Sequence, residues 1–173
     1  HYASHSEAAR YFTNTPARVQ FRFANPIICR LVSGHKVMSV AGSDPFDFTP
    51  GDVMFVPPGL EIDIDLSVAR ADAPIECDCI EIENERIDSV LGRLNETMTR
   101  GGNPVATSLD WTAFSVLRST EADALELPNL MGLFRTERDV FSDLRIDAKI
   151  DELFLRLLQL RGSSLLVSNH TSG

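Results

Sequence analysis

From Pro26 to Glu83 the chain sets short apolar runs between turn residues: IICRLVS closed by Gly34, then KVMSVA, PFDF, the turn TPGD, VMFV and PPGL. Runs of this length bounded by Gly and Pro predict an all-β region. Two later runs, EIDIDLSVA and IECDCIEIE, alternate apolar with acidic residues. Period 2 puts Ile62, Ile64, Leu66 and Val68 on one strand face and Asp63, Asp65, Ser67 and Ala69 on the other, so one face packs and the other meets solvent or a ligand. Several such strands at close spacing predict a small sandwich or barrel of the jelly-roll kind, which manages its edges by curling.

After Glu83 the period changes. Ile87, Val90, Leu91 and Leu94 recur at helical spacing until RGGNP breaks the run. The segment VATSLDWTAFSVL fits a returning strand or the start of a helical region. LPNLMGLFRTERDVFSDLRI and DAKIDELFLRLLQLRG read as two helices, the second with Ile146, Ile150, Leu153, Leu157 and Leu160 in a stripe and Gly162 as its stop. Phe154, Leu155 and Leu158 add apolar surface beyond that stripe, enough for a second subunit to cover. SSLLVSNHTSG reads as a linker. The pattern therefore predicts a mainly β fold with C-terminal helices.

At 173 residues and 43% hydrophobic composition, one domain plus an appendage is expected rather than two full domains. A formal net charge of -9 argues against a grip on nucleic acid by this polypeptide itself, because phosphate binding needs a concentrated basic surface. Three cysteines, Cys29, Cys77 and Cys79, leave one over in any disulfide scheme. With no signal peptide and no long apolar span, a reducing cytoplasm and no membrane partner are expected.

Catalytic chemistry finds no candidate residue. His1, His5, His35 and His170 are scattered over the termini and one turn, so the paired histidines of a metal cupin are missing and no metal site or cofactor is expected. Cys77 and Cys79 share a strand face, where small buried thiols are the usual occupants, and no further Cys or His completes a tetrahedral set. There is no nucleophile elbow, P-loop or dinucleotide fingerprint.

The stretch NPIICRLVSGHKVMSVAGSDPFDFTPGDVMFVPPGLEIDIDL resembles the N-terminal regulatory domain of AraC-type transcription activators. The likeness lies in an opening apolar strand, a Gly–Lys tight turn, the TPGD turn before a further strand, and a proline before an alternating run. APIECDCIEIENERIDSVL and RIDAKIDELFLRLLQL extend it, the latter similar to the helix between sensor and DNA-binding module. The resemblance implies a cupin-like jelly-roll barrel over residues 1–120, a helical dimerisation element over 121–161, and a linker over 162–173 to a helix-turn-helix module absent from this chain. It also implies a homodimer that reaches promoter DNA only through that absent module.

One further pattern joins this resemblance. Arg18 and Arg22, four apart in PARVQFRF, share a side whether the segment is extended or helical. Fourteen arginines in the chain make about one such pair expected by chance. Downstream stands DLSVAR, and an RxxxR followed by (D/N)xSxxG resembles the cyclic di-GMP-binding signature of PilZ domains. Here Arg70 stands in place of the final glycine. The implied ligand set is Arg18, Arg22, Asp65, Ser67 and Arg70, with cyclic di-GMP as regulatory ligand and exopolysaccharide genes as the controlled class. Arginine forks suit phosphates and guanine O6/N7, and Asp65 would read the guanine N1–H and exocyclic amine. A sugar or other metabolite sensor is the alternative; a metal-dependent cupin enzyme stands behind both.

Overall fold

The structure, a computed structural model, describes residues 1–102, 106–136 and 139–169. Two antiparallel sheets face each other. The first has five strands in the order β1 (Ser6–Thr13), β8 (Ile75–Ile82), β3 (Ile27–Ser33), β6 (Val53–Val56) and β10 (Ser115–Leu117). The second has four, in the order β2 (Arg18–Arg22), β7 (Glu61–Asp65), β4 (Lys36–Val40) and β5 (Phe46–Phe48). Four helices follow or interrupt the strands: α1 (Asn84–Arg100), α2 (Ser119–Ala122), α3 (Leu127–Thr136) and α4 (Val140–Leu165).

The five-stranded sheet is covered on both faces, which is why VMFV in β6 is apolar throughout. Met54 and Val56 enter the space between the sheets, while Val53 and Phe55 pack under the helices. The same division runs along β8, with Ile75, Cys77 and Cys79 inside the barrel and Ile80 and Ile82 outside it. Two apolar cores result, one within the barrel and one between its outer wall and α1, α3 and α4. The fold is mainly β with C-terminal helices, as the patterning predicts.

The TPGD turn closes as predicted, and its details explain its residues. Gly51 has φ +89, and a Cβ there would stand 2.8 Å from that of Ser119, so only glycine fits. Asp52, almost fully buried, accepts from the Thr49 backbone and hydroxyl at 2.9 Å each, from Arg118 at 2.8 Å and from the Ser119 N–H at 3.0 Å. The turn thus fastens the barrel to the start of α2.

β1 and β2 are strands of the barrel, so the arginine pair is part of it. Three expectations need correction. The boundary between the last two helices falls after Thr136, and α4 begins at Val140 because Asp139 and Ser142 form a reciprocal capping box there. Gly162 does not stop α4, which runs on to Leu165; Leu166–Asn169 then form β11, paired with β9 (Ala106–Leu109). The expected linker therefore includes a turn of helix and a paired strand, while His170–Gly173 lie outside the described residues. Finally, Phe154 and Leu158 are buried in the domain's own core and are not surface for a partner. The Asn103–Pro104 break also lies outside the described residues.

Candidate ligand-binding site

The outer face of β2 and β7 carries the residues that the arginine motif singles out. In β2, Val19 and Phe21 line the barrel interior, so Arg18, Gln20 and Arg22 face outward. Antiparallel pairing sets Arg18 opposite Asp65, Gln20 opposite Asp63 and Arg22 opposite Glu61. Each pair bonds across the strands: Arg18 to Asp65 at 3.0 Å, Gln20 to Asp63 at 2.6 Å and Arg22 to Glu61 at 3.1 Å. Arg22 also donates to the Gly59 carbonyl at 3.2 Å. Arg18, Gln20, Asp63 and Asp65 line an open groove of about 530 Å³ together with Val37, Ser39 and Ile64, whereas Arg22 and Ser67 are not among its lining residues.

Ser67 reaches this set by a different route from the expected one. β7 ends at Asp65, and the Ser67 N–H donates back to Asp65 Oδ1 at 2.9 Å, closing an Asx turn. Asp65 and Ser67 are neighbours through that turn and not through a shared strand face. The Ser67 side chain and backbone N–H, and after them Arg18, hold the Asp65 carboxyl below its ordinary range. Alternation fails beyond Leu66 for the same reason, with Val68 exposed and Ala69 buried. Arg70 sits in the next turn, joined to Ala73 by a pair of backbone hydrogen bonds, and is not among the residues of the groove. Arg18, Arg22 and Asp65 thus lie along one strand pair, Ser67 joins them through the turn, and Arg70 stands apart.

A second cavity, of about 120 Å³, lies inside the barrel. Its walls are apolar except for sulfur atoms, the hydroxyls of Tyr11 and Thr13, and one buried cation, Lys36. Lys36, Met38 and Val40 alternate inward along β4, so period 2 in KVMSV carried the signal for a buried lysine that the motif search passed over. Cys29 was likewise unassigned. The register brings it beside Cys77 and Cys79, making three thiols rather than a strand-bound pair.

A jelly-roll domain with an open groove on one outer sheet face and a small apolar cavity inside offers the concave surfaces that ligands use. The model of the AraC-type transcriptional regulator N-terminus matches residues 9–165, and the chain belongs to that family. Among solved structures, it is similar to ToxT from Vibrio cholerae bound to (E)-4-(8-methylnaphthalen-1-yl)but-3-enoic acid, with a TM-score of 0.61 and 11% identity over 91% of this chain and 58% of ToxT. It is also similar to ToxT from the same organism bound to an unsaturated fatty acid, with a TM-score of 0.58 and 10% identity over 91% of this chain and 54% of that one. The chain therefore spans a little over half the length of these relatives. A comparison with curated protein sequences found no match. No helix among the described residues is long and apolar enough to cross a membrane.

Proposed function

We propose that this chain is the cytoplasmic, non-enzymatic sensing part of a transcription activator, and that its ligand is cyclic di-GMP, held on the outer face of β2 and β7. The observation that carries this reading is the register: Arg18 and Arg22 project from the same face of β2, with Asp65 and, through its turn, Ser67 alongside Arg18. Four strand steps set the two arginine Cα atoms about 13 Å apart, within reach of one dianion for two long side chains.

Both guanidinium groups already hold carboxylates, which raises the question of whether a ligand can displace them. The Arg18 side chain is 82% exposed and that of Arg22 63% exposed. Ion pairs that open to water contribute roughly 0.2–1 kcal/mol, less than a charge-assisted bond to phosphate in a partly desolvated complex, at about 1.5–3 kcal/mol. Exchange of partner is therefore favourable. The groove beside Arg18 and Asp65, at about 530 Å³, falls within the roughly 300–1,000 Å³ usual for ligand sites, and Arg22 lies beyond its lining.

Titration calorimetry on the purified chain tests the reading. Arg18→Ala or Arg22→Ala is expected to weaken cyclic di-GMP binding at least about tenfold. Arg100→Ala, an exposed arginine paired only loosely with Glu96 at 3.9 Å, serves as the control. Arg10 is unsuitable for that purpose, because it forks onto the buried carboxylate of Asp78 at 2.8 and 3.0 Å. Asp65→Ala is expected to reduce discrimination against cyclic di-AMP, whose adenine lacks the N1–H that a carboxylate accepts. Absence of binding at micromolar nucleotide, or wild-type affinity in both arginine variants, sinks the proposal.

A second reading has its own observation. Lys36 inside an apolar cavity suits an apolar carboxylic acid, the class of molecule that ToxT binds in the structures above. Its weakness is volume, because about 120 Å³ is well below the usual range for organic ligands and the barrel would have to open. Binding of a long-chain fatty acid that is lost in Lys36→Met and retained in Arg18→Ala would favour it over the cyclic dinucleotide.

A further inference from the structure

All three cysteines and two of the four methionines of the chain converge on the barrel interior. Pairing of β8 with β3 sets Cys79 opposite Cys29, and pairing of β3 with β6 sets Met54 opposite Cys29 on its other side. Directly opposed residues of antiparallel strands share a face, so one row across three strands reads Cys79, Cys29, Met54. Cys77 follows on the same face of β8, and Met38 approaches from the facing sheet. Cys79 Sγ lies 2.9 Å from Cys29 Sγ and 3.7 Å from Cys77 Sγ, and all three sulfurs lie within 4.8 Å of one another. Sulfur atoms around one ion at about 2.3 Å stand about 3.8–4.0 Å apart, so the triad needs adjustments of about 1 Å or less to become a first coordination sphere.

We propose that the barrel interior is a binding site for a soft monovalent metal ion, cuprous copper, held by Cys29, Cys77 and Cys79 with the Met54 thioether beside them.

The donor set chooses the ion. Neither a carboxylate nor an imidazole lines this cavity among the described residues, which removes the oxygen ligands that calcium and magnesium require. Structural zinc closes four ligands, commonly with a fourth thiolate or a histidine, and neither is offered here. Thiolates with thioethers are the ligands that select monovalent copper. A cavity of about 120 Å³ readily holds one ion without the barrel opening.

Charge also balances. Two thiolates cancel one cuprous ion and the Lys36 ammonium, so the third sulfur binds as a neutral thiol. Two S–H bonds are replaced by two S–Cu bonds, two protons leave to solvent, and no electrons change hands.

The experiment is a titration of the full chain, reduced, anaerobic and free of nucleotide, with cuprous ion against a chromophoric cuprous chelator. One equivalent retained, about two protons released into weak buffer, and a sulfur-only shell in X-ray absorption are expected. Cys29→Ala or Cys79→Ala is expected to lower retention by about tenfold to a hundredfold. Met54→Leu, close in volume and so tolerated by the core, should weaken it by a smaller factor, and Met131→Leu in the other core should leave it unchanged. No retention by the wild-type chain, a nitrogen or oxygen shell, or equal retention in folded Cys29→Ala and Met54→Leu overturns the site. If the cysteine variants fail to fold, the wild-type absorption spectrum and Met54→Leu still decide it.

Discussion

At the scale of single residues, the acidic excess of the chain conceals two kinds of carboxylate. Glu61, Asp63 and Asp65 form an exposed ladder whose ion pairs contribute little to stability. Asp52 and Asp78 are almost fully buried, and each meets an arginine from a distant part of the chain. For Asp52, burial raises the pKa, but hydrogen bonds from Thr49 and Arg118 outweigh it and the net shift is downward. A carboxyl that titrates lower in the fold than in the unfolded chain stabilises fully above its unfolded value near about 3.9, and that stability is lost as pH falls through the folded value. Asp52→Asn is expected to cost about 1.5–3 kcal/mol at pH 7, a fall of roughly 5 °C in Tm for a chain of this size. In melts recorded across pH, the gap between variant and wild type should narrow below about pH 4, where the wild-type carboxyl is itself being protonated. A gap that stays constant down to pH 3 would mean that shape, not charge, holds the turn.

At the scale of elements, α1 and α4 are joined by one carboxylate. Asp151 accepts from Arg86 at 2.8 and 2.5 Å and from Arg93 at 2.6 Å, so a single acidic residue on α4 fixes two turns of α1. Asp151→Asn is expected to destabilise the domain by about 2 kcal/mol, less than the loss of a fully buried pair because Arg93 stays well solvated. Chemical denaturation with an unchanged m value is the check. Short apolar runs between turn residues made β3, β4 and β6 legible in the sequence, and period 2 did the same for β7 and β8. It was equally present in PARVQFRF, where Val19 and Phe21 alternate with Arg18, Gln20 and Arg22, yet a four-residue arginine spacing suits a helix as well as a strand and so does not single out an edge strand. The helix boundary was missed because Asp139 and Ser142 cap from inside a run that keeps helical periodicity on both sides. Arg18, Arg22, Asp65 and Ser67 could be found as a motif. The sulfur row could not, because only pairing registers between strands far apart in sequence bring it together; period 2 in KVMSV signals that Lys36 is buried, but only the fold sets it beside the sulfurs.

At the scale of the whole molecule, α4 is apolar on two sides. Ile146, Ile150, Leu153, Phe154 and Leu157 bury one side against the barrel wall. The other side begins with Val140, Phe141 and Leu144, which are 69%, 68% and 64% exposed, and continues to Leu155. A helix with apolar residues around most of its circumference is ordinarily covered all round, and scattered exposure does not explain three large side chains within five residues of one helix start. We expect a second copy of the chain to cover them, by an isologous contact in which each α4 packs on the other. The surface available to it lies toward the N-terminal half of α4, since Phe154 and Leu158 are already spent in the domain's own core. Light scattering should therefore report a dimer, and Phe141→Glu with Leu144→Glu should convert it to monomer, because a central buried aromatic in such an interface contributes at least about 2 kcal/mol. Neither residue packs in the core, so the melting temperature of the variant should stay close to wild type once the loss of the dimer is allowed for. Cyclic di-GMP strengthens that dimer only if it binds the paired state more tightly than the single chain, and the shift in dimer dissociation constant on adding nucleotide measures that difference directly. A strictly monomeric mass at high protein concentration, with and without nucleotide, ends the dimer and leaves the exposed side of α4 to another partner.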